Sequence, residues 1–345
     1  VSNAGGRFER LEREERADDL DDEGLPAFRT EVIPERARTI ISRNESPDIA
    51  FDRSINPYRG CEHGCAYCFA RPTHAYLGLS AGLDFETRIF AKTNAAEVLE
   101  REVSAPGYQP RTIAMGANTD PYQPVERELK ITRSVLEVLE RCNHPVGIVT
   151  KSGLVTRDID LLGAMAGKGL AKVAISVTTL DRKLARALEP RAASPQKRLD
   201  TIRALSAAGI PVSVLVAPVI PGINDHEIEQ ILEAARAAGA SEAGYILLRL
   251  PLEVRDIFAQ WLVVNAPGKA RHVLSLVRST RQGKDYDARF GLRQTGTGPY
   301  AWLIGRRFEL AAARLGFGKR RIRLETGLFR PPVQPGGQLS LFGDL

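Results

Sequence analysis

Three cysteines within eight residues dominate the chemistry open to this chain. The run NPYRGCEHGCAYCFA, residues 56–70, sets Cys61, Cys65 and Cys68 at a C-x3-C-x2-C spacing. Thiolates this close converge on one metal centre, and soft sulfur ligands select zinc, copper(I) or iron–sulfur clusters. Structural zinc needs a fourth protein ligand. His63, His74 or the distant Cys142 would have to supply it, and His63 lies inside the loop, poorly placed to join the cysteines. A [4Fe–4S] cluster on three cysteines leaves one iron open to a substrate or cofactor. The spacing matches neither the bacterial ferredoxin run nor the plant-type pattern.

Such a loop needs a scaffold. Strand-like segments at 85–90, 111–117, 146–152, 171–179, 211–220 and 243–249 alternate with helical ones at 95–103, 126–141, 158–166, 195–208 and 225–238. The strands are short Val- and Ile-rich runs, the pattern of strands buried on both faces of a parallel sheet with crossover helices. Six βα units over residues 50–250 predict an α/β fold, a partial (β/α)6 TIM-type barrel. A charged arm at 1–49 precedes it. A mostly helical region at 251–330 and a Pro/Gly-rich tail at 331–345 follow. Active sites of such barrels lie at the C-terminal ends of the strands. There the sequence places Gly116, Asn118, Thr119 and Asp120 after the second strand, Thr150, Lys151 and Ser152 after the third, Ser176 and Thr178 on the fourth, and Glu189-Pro190-Arg191 beyond it.

C-x3-C-x-aromatic-C, with Tyr67 as the aromatic, is the signature of the radical S-adenosylmethionine superfamily. The runs INPYRGCEHGCAYCFA, TDPYQPVE and TKS resemble its DNA-repair-photolyase-like branch, related to spore photoproduct lyase, over roughly residues 46–250. The resemblance implies that Cys61, Cys65 and Cys68 hold a [4Fe–4S] cluster whose open iron chelates the amino and carboxylate groups of S-adenosylmethionine. An external flavodoxin- or ferredoxin-like donor supplies the electron that cleaves this cofactor to methionine and a 5′-deoxyadenosyl radical. It further implies that Tyr67 packs near the adenine, that Gly116, Asn118, Thr119 and Asp120 serve the amino group, and that Lys151 neutralises the carboxylate. Ser176 would bond a ribose hydroxyl, and Arg191 would reach the cofactor carboxylate or a substrate phosphate. Spore photoproduct lyase has a hydrogen-donating cysteine just before the segment that aligns with residues 117–120. Ala117 or Asn118 stands there, so the chain is expected not to be that lyase, with Tyr122 as a substitute donor. Cys142, the one remaining cysteine, is expected at the bottom of the barrel as an inert buried thiol. One spare cysteine excludes a second all-cysteine cluster within the chain.

The 345 residues are 43% hydrophobic and 26% charged, ordinary globular usage that excludes a disordered, collagenous or disulfide-scaffold chain. No apolar run approaches the ~18 residues of a spanning helix, no secretory signal pattern opens the sequence, and clustered reduced thiols predict a cytoplasmic setting. The formal charge of +6 is uneven: residues 1–50 carry 8 Arg against 13 acids, whereas 305–330 carry 8 basic residues against 2 acidic. An acidic arm on a basic body is compatible with nucleic acid as a partner. The competing function is a non-catalytic protein with a structural metal and a nucleic-acid-binding face. Tyr245, Tyr286, Tyr300 and Trp302 are candidates to close the site.

Overall fold

The computed structural model describes residues 30–318 and 322–332. The charge-dense run 7–24, residues 319–321 of the basic cluster and the tail from 333 lie outside the described residues. Ten strands are described: β1 (Glu31–Glu35), β2 (Ser42–Arg43), β3 (Arg53–Ile55), β4 (Tyr58–Arg59), β5 (Arg88–Lys92), β6 (Ile113–Met115), β7 (Val146–Thr150), β8 (Ala171–Ser176), β9 (Val212–Val219) and β10 (Glu242–Leu247). The main sheet runs β10-β9-β8-β7-β6-β3-β2. Its six strands from β3 to β10 pair in parallel, and β2 is antiparallel on the β3 edge. No pairing joins β10 to β2 among the described residues, so the barrel is partial and open on one side.

Crossover helices follow the strands: α1 (Asp84–Thr87), α2 (Ala95–Val103), α3 (Glu126–Leu129), α4 (Ile131–Arg141), α5 (Ile159–Gly167), α6 (Arg182–Leu188), α7 (Pro195–Ala207) and α8 (Ile228–Ala237). Their starts are chemically marked. Ser194 caps α7 through Lys197 N with Pro195 in the first turn, and Asp181 caps α6 through the N–H groups of Lys183 and Leu184. Residues 251–330 supply α9 (Val254–Asn265), α10 (Ala270–Ser279) and α11 (Gly298–Arg314). Among the described residues no helix is long and apolar enough to cross a membrane.

Alternation along the strands divides the two faces. Val146, Ile148, Val173, Ile175, Val212 and Val214 pack outward against Val135, Leu139, Leu162 and Ile202 of the helices, at 1% exposure or less. Burying each such side chain contributes about 1.5–3 kcal/mol relative to leaving it in water. Their neighbours Ala114, Gly147, Val149, Lys172, Ala174 and Ser213 line a lumen of about 1090 Å3. Burial is therefore complete on the helix face and only partial on the inner one, because the barrel does not close.

Two expectations shift. Residues 85–90 are not the first barrel strand: Asp84–Thr87 is a turn of helix, and Arg88–Lys92 pairs with β1 and β4 in a separate three-stranded sheet. The first barrel strand is Arg53–Ile55, directly before the cysteine loop. The helix over 126–141 breaks at Lys130, whose φ of 53° starts a new helix at Ile131. At the N-terminal ends of the strands, Lys172 Nζ donates to Ile322 O at 2.7 Å, Glu325 N to Gly169 O at 2.9 Å and Arg330 N to Cys142 O at 2.9 Å. These bonds draw residues 322–330 across the barrel floor.

Candidate active site

The cysteine loop leaves β3 at the C-terminal end of the sheet and is pinned on several sides. Cys61 N donates to Phe85 O at 2.9 Å, Ala66 N to Leu188 O at 2.9 Å, and Glu62 N to Gln123 Oε1 at 2.9 Å. Arg71 is fully buried and donates through Nε to Cys65 O at 2.9 Å, through Nη1 to Gly82 O at 2.7 Å, and through Nη2 to Glu86 Oε1 at 2.8 Å. Gly64 has φ +66°, and a Cβ there would lie 2.3 Å from Glu86 Oε2, so the loop has no room for a side chain at this point.

A cavity of about 180 Å3 unites the loop with the strand ends. Cys61, Cys65, Cys68 and Tyr67 line it with Gly116, Asn118 and Asp120 after β6, Lys151 after β7, Ser176 on β8 and Arg249 after β10. Two residues expected here are elsewhere. Thr119 is buried beneath the turn, with its hydroxyl donating to Tyr58 O at 2.8 Å and its N–H facing Asn56 Oδ1. Arg191 donates to Glu86 O at 2.9 Å and Glu86 Oε2 at 3.1 Å, on the outer side of the loop. Tyr122 is buried outside this cavity, its hydroxyl donating to Asp158 Oδ2 at 3.0 Å. Tyr300 bonds Asp225, Tyr245 packs on Phe308, and Trp302 is exposed on α11; Tyr286 sits beside Arg249.

Asp120 organises the second and third strand ends. Its carboxylate accepts from Thr150 Oγ1 at 2.7 Å, Lys151 N at 2.8 Å and Tyr122 N at 2.9 Å, and His63 Nδ1 lies 3.4 Å away. Burial acts to raise this carboxyl, but the His63 ring, the Lys151 N–H and the Thr150 hydroxyl outweigh it and hold it near about 2. Gly116 turns the chain into this loop at φ +84°, where a Cβ would meet Val149 O at 2.1 Å. Ser176 donates its hydroxyl to Ala217 O at 3.0 Å, leaving its oxygen lone pairs toward other donors.

A buried polar layer fixes Tyr67. Its hydroxyl donates to Glu189, which also accepts from Thr178 Oγ1 at 2.6 Å and pairs with Arg198. Burial would raise Glu189, yet Arg198 and Lys151 hold it near about 2. Lys151 Nζ stands over the Tyr67 ring, 5.8 Å from its centre. It has no ion-pair or hydrogen-bond partner among the described residues.

The donor set fits a sulfur-held metal group. Three thiols face one cavity, two of them buried, and burial pushes the Cys65 thiol up to about 12; positive metal charge is what holds such sulfurs as thiolates. Of the candidates for a fourth ligand, His63 lines the same cavity but is turned to a carboxylate, and the other two lie outside it. His63 Nδ1 faces Asp120, His74 Nε2 faces Arg88 O at 3.0 Å, and Cys142 lies on the floor before β7. Among the described residues no group of three or more His, Cys, Asp or Glu is gathered closely enough to hold a metal ion. Of the residues named from the sequence, the three cysteines, Tyr67, Gly116, Asn118, Asp120, Lys151 and Ser176 line the cavity, whereas Arg71, Glu86, Gln123 and Arg198, whose pairings span the fold, were not named and Glu189 was named without a role; Arg249, two residues past the sixth strand, was the one further signal available.

Residues 55–235 match a family model described as the radical SAM superfamily. An uncharacterised protein of Mycobacterium bovis is 39% identical over 224 residues, 64% of this chain and 66% of that protein, just under two thirds of the relative's length. A protein of Pseudomonas phage M6 named radical SAM Nalpha-GlyT isomerase is 28% identical over 299 residues, 76% of this chain and 59% of that one. Among solved structures, spore photoproduct lyase complexed with dinucleoside spore photoproduct superposes with a TM-score of 0.58 at 16% identity, covering 82% of this chain and 79% of the other. That likeness is one of fold.

Proposed function

Because the chain belongs to the radical SAM superfamily, we propose that its strand-end cavity is the active site of a radical enzyme, with Cys61, Cys65 and Cys68 as ligands of a [4Fe–4S] cluster. The observation that carries this reading is the single cavity shared by three thiols, the Gly116–Asp120 turn and Lys151. When bound, the cluster and S-adenosylmethionine supply reductive cleavage of the cofactor to methionine and a 5′-deoxyadenosyl radical, driven by one electron from an external flavodoxin- or ferredoxin-like donor.

The chain's own residues bind and orient. Lys151, with its ammonium free for a charge-assisted bond, takes the cofactor carboxylate. The backbone turn held by Asp120, with Asn118 on the cavity wall, receives the amino group. Ser176, whose O–H is given to Ala217 O, accepts from a ribose hydroxyl, and Tyr67, its hydroxyl anchored on Glu189, offers its ring as a wall for the adenine. Arg191 and Thr119 support the loop instead of contacting the cofactor. We propose a cytoplasmic setting, which the oxygen sensitivity of such a cluster supports. Nucleic acid is the macromolecular substrate this reading puts forward, supported by the basic body of the chain; gel-shift binding across a salt series tests it, since phosphate contacts weaken steeply with salt.

Anaerobic reconstitution with iron and sulfide tests the function. The enzyme turns brown and releases 5′-deoxyadenosine after reduction. A protein with a structural zinc stays colourless and releases none.

A further inference from the structure

Among the described residues, two guanidinium groups near the cysteine cavity have no ion-pair partner. Arg249 follows β10 at the cavity wall, its guanidinium 4.8 Å over the ring of Phe69, the residue after Cys68. One terminal nitrogen reaches Tyr286 Oη at 3.4 Å, and its Nε is buried with no partner. Arg281 is 1% exposed. Its terminal nitrogens donate to Leu292 O at 2.7 Å and to Leu248 O at 2.9 Å, the residue beside Arg249, and its Nε is likewise buried and unpartnered. Among the described residues no carboxylate lies within ion-pair distance of either. Two acids act on them from beyond ion-pair distance: Asp48, bonded to Arg293 and Gly291 N, on Arg249, and Asp287, bonded to Arg289, on Arg281.

Buried charges in proteins are paired, because an uncompensated ion loses its hydration for nothing in return. Here two like charges oppose one another. Burial first, and then the field of Arg249, pull Arg281 below its ordinary value. An unmade Nε–H on Arg249 at the cavity wall, with a second unmade Nε–H on Arg281 behind it, is an arrangement an incoming anion completes. A guanidinium presents its donors as a planar fork that matches the oxygens of carboxylate or phosphate.

Resting on the radical SAM reading above, we propose that Arg249 is the substrate-binding residue for an oxyanion, a carboxylate or phosphate carried by the substrate, with Arg281 behind it as a positioning residue that supplies a second positive charge. Both residues line the one cavity, three strands apart in the sheet: Arg249 follows the last parallel strand, Lys151 the third. One end of the cavity thus takes the cofactor's carboxylate and the other the substrate's anion, which fixes the substrate between Phe69 and the strand ends.

The test uses the full chain reconstituted with its cluster under anaerobic conditions. Inorganic phosphate and acetate are titrated separately against a chloride control of equal ionic strength, and binding is read by calorimetry. The wild type binds at least one of them saturably, and the stronger of the two identifies the substrate group as phosphate or carboxylate. Arg249→Gln weakens that binding at least about tenfold, the scale of one charge-assisted hydrogen bond, and Arg249→Lys restores part of it. Arg281→Lys, which keeps the charge, binds more tightly than Arg281→Gln if that variant folds. S-adenosylhomocysteine is titrated into the same samples. Absence of saturable binding of either anion, or equal binding by Arg249→Gln, overturns the proposal while leaving cofactor binding to speak for the enzyme. Loss of S-adenosylhomocysteine binding in Arg249→Gln also overturns it, assigning Arg249 to the cofactor.

Discussion

The Lys151 backbone N–H donates to Asp120 Oδ2 at 2.8 Å, joining the turn after β6 to the turn after β7. The bond fixes the main chain of Lys151, so its side chain starts from a set position when it extends over Tyr67. Lys151→Ala is expected to weaken S-adenosylhomocysteine binding by about 1–3 kcal/mol, the range for losing a charge-assisted hydrogen bond. Arg191→Ala, which removes a contact to Glu86 on the outer side of the loop, changes that affinity much less. Calorimetry on reconstituted protein with equal iron content separates the two; unchanged affinity in Lys151→Ala would remove that lysine from cofactor binding.

Glu189 and Arg198 form a buried pair under Tyr67, both at 2% exposure. Arg198→Ala leaves the carboxylate uncompensated and is expected to cost about 3–5 kcal/mol of stability, read as a fall in the urea midpoint. The pair also sets a pH dependence. The Glu189 carboxyl is depressed from 4.5 to about 2 in the folded chain, so its contribution is fully present above about pH 4.5 and fades as the pH falls toward 2. The urea midpoint of the wild type should drop across that window more steeply than that of Glu189→Gln. Parallel slopes would remove Glu189 as a source of acid sensitivity.

Much of the scaffold is legible in the chain because strands β7, β8 and β9 are Val- and Ile-rich runs, interrupted only by Lys172 and Ser213 and ended by polar residues or Pro. The first barrel strand is not: Arg53 and Ser54 are buried polar residues in a three-residue strand, with only Ile55 to mark it. Residues 85–90 misled for the converse reason, since Phe85, Ile89 and Phe90 carry strand-like composition while Asp84 to Thr87 close a helical turn. The thiols, Lys151 and Asp120 were readable from spacing and from their places after strands. Arg71 with Glu86 and Glu189 with Arg198 were not, because a buried ion pair depends on which segments the fold brings together.

Gly116 stands at φ +84° with Val149 O where a Cβ would be. Gly116→Ala combines a left-handed backbone with a direct clash. It is expected to lower stability by at least about 1–3 kcal/mol and to weaken cofactor binding, because Asn118 and Asp120 follow on the same turn. A thermal melt and a binding titration together check this; wild-type values in both would show that the turn has more room than the contact allows.

Cys142 sits on the floor of the barrel, 1% exposed, with its carbonyl accepting from Arg330 N. The strand-end cavity is at the other end of the strands, so Cys142→Ala should leave iron content and cofactor cleavage at wild-type levels. With no thiol at Ala117 or Asn118 and Tyr122 bonded to Asp158 outside the cavity, the chain is expected not to restore two thymines efficiently from a spore-type thymine dimer. An anaerobic assay on the dinucleotide decides; efficient repair lost in Cys142→Ala would contradict both the placement and the exclusion.

The most direct measurement compares anaerobically reconstituted wild type with the variant in which Cys61, Cys65 and Cys68 are all Ala. The account predicts about four irons and four sulfides per wild-type chain, and release of 5′-deoxyadenosine from S-adenosylmethionine after reduction. It predicts neither in the variant, with the fold retained by circular dichroism. A folded triple variant that keeps the iron and cleaves the cofactor at the wild-type rate would contradict it.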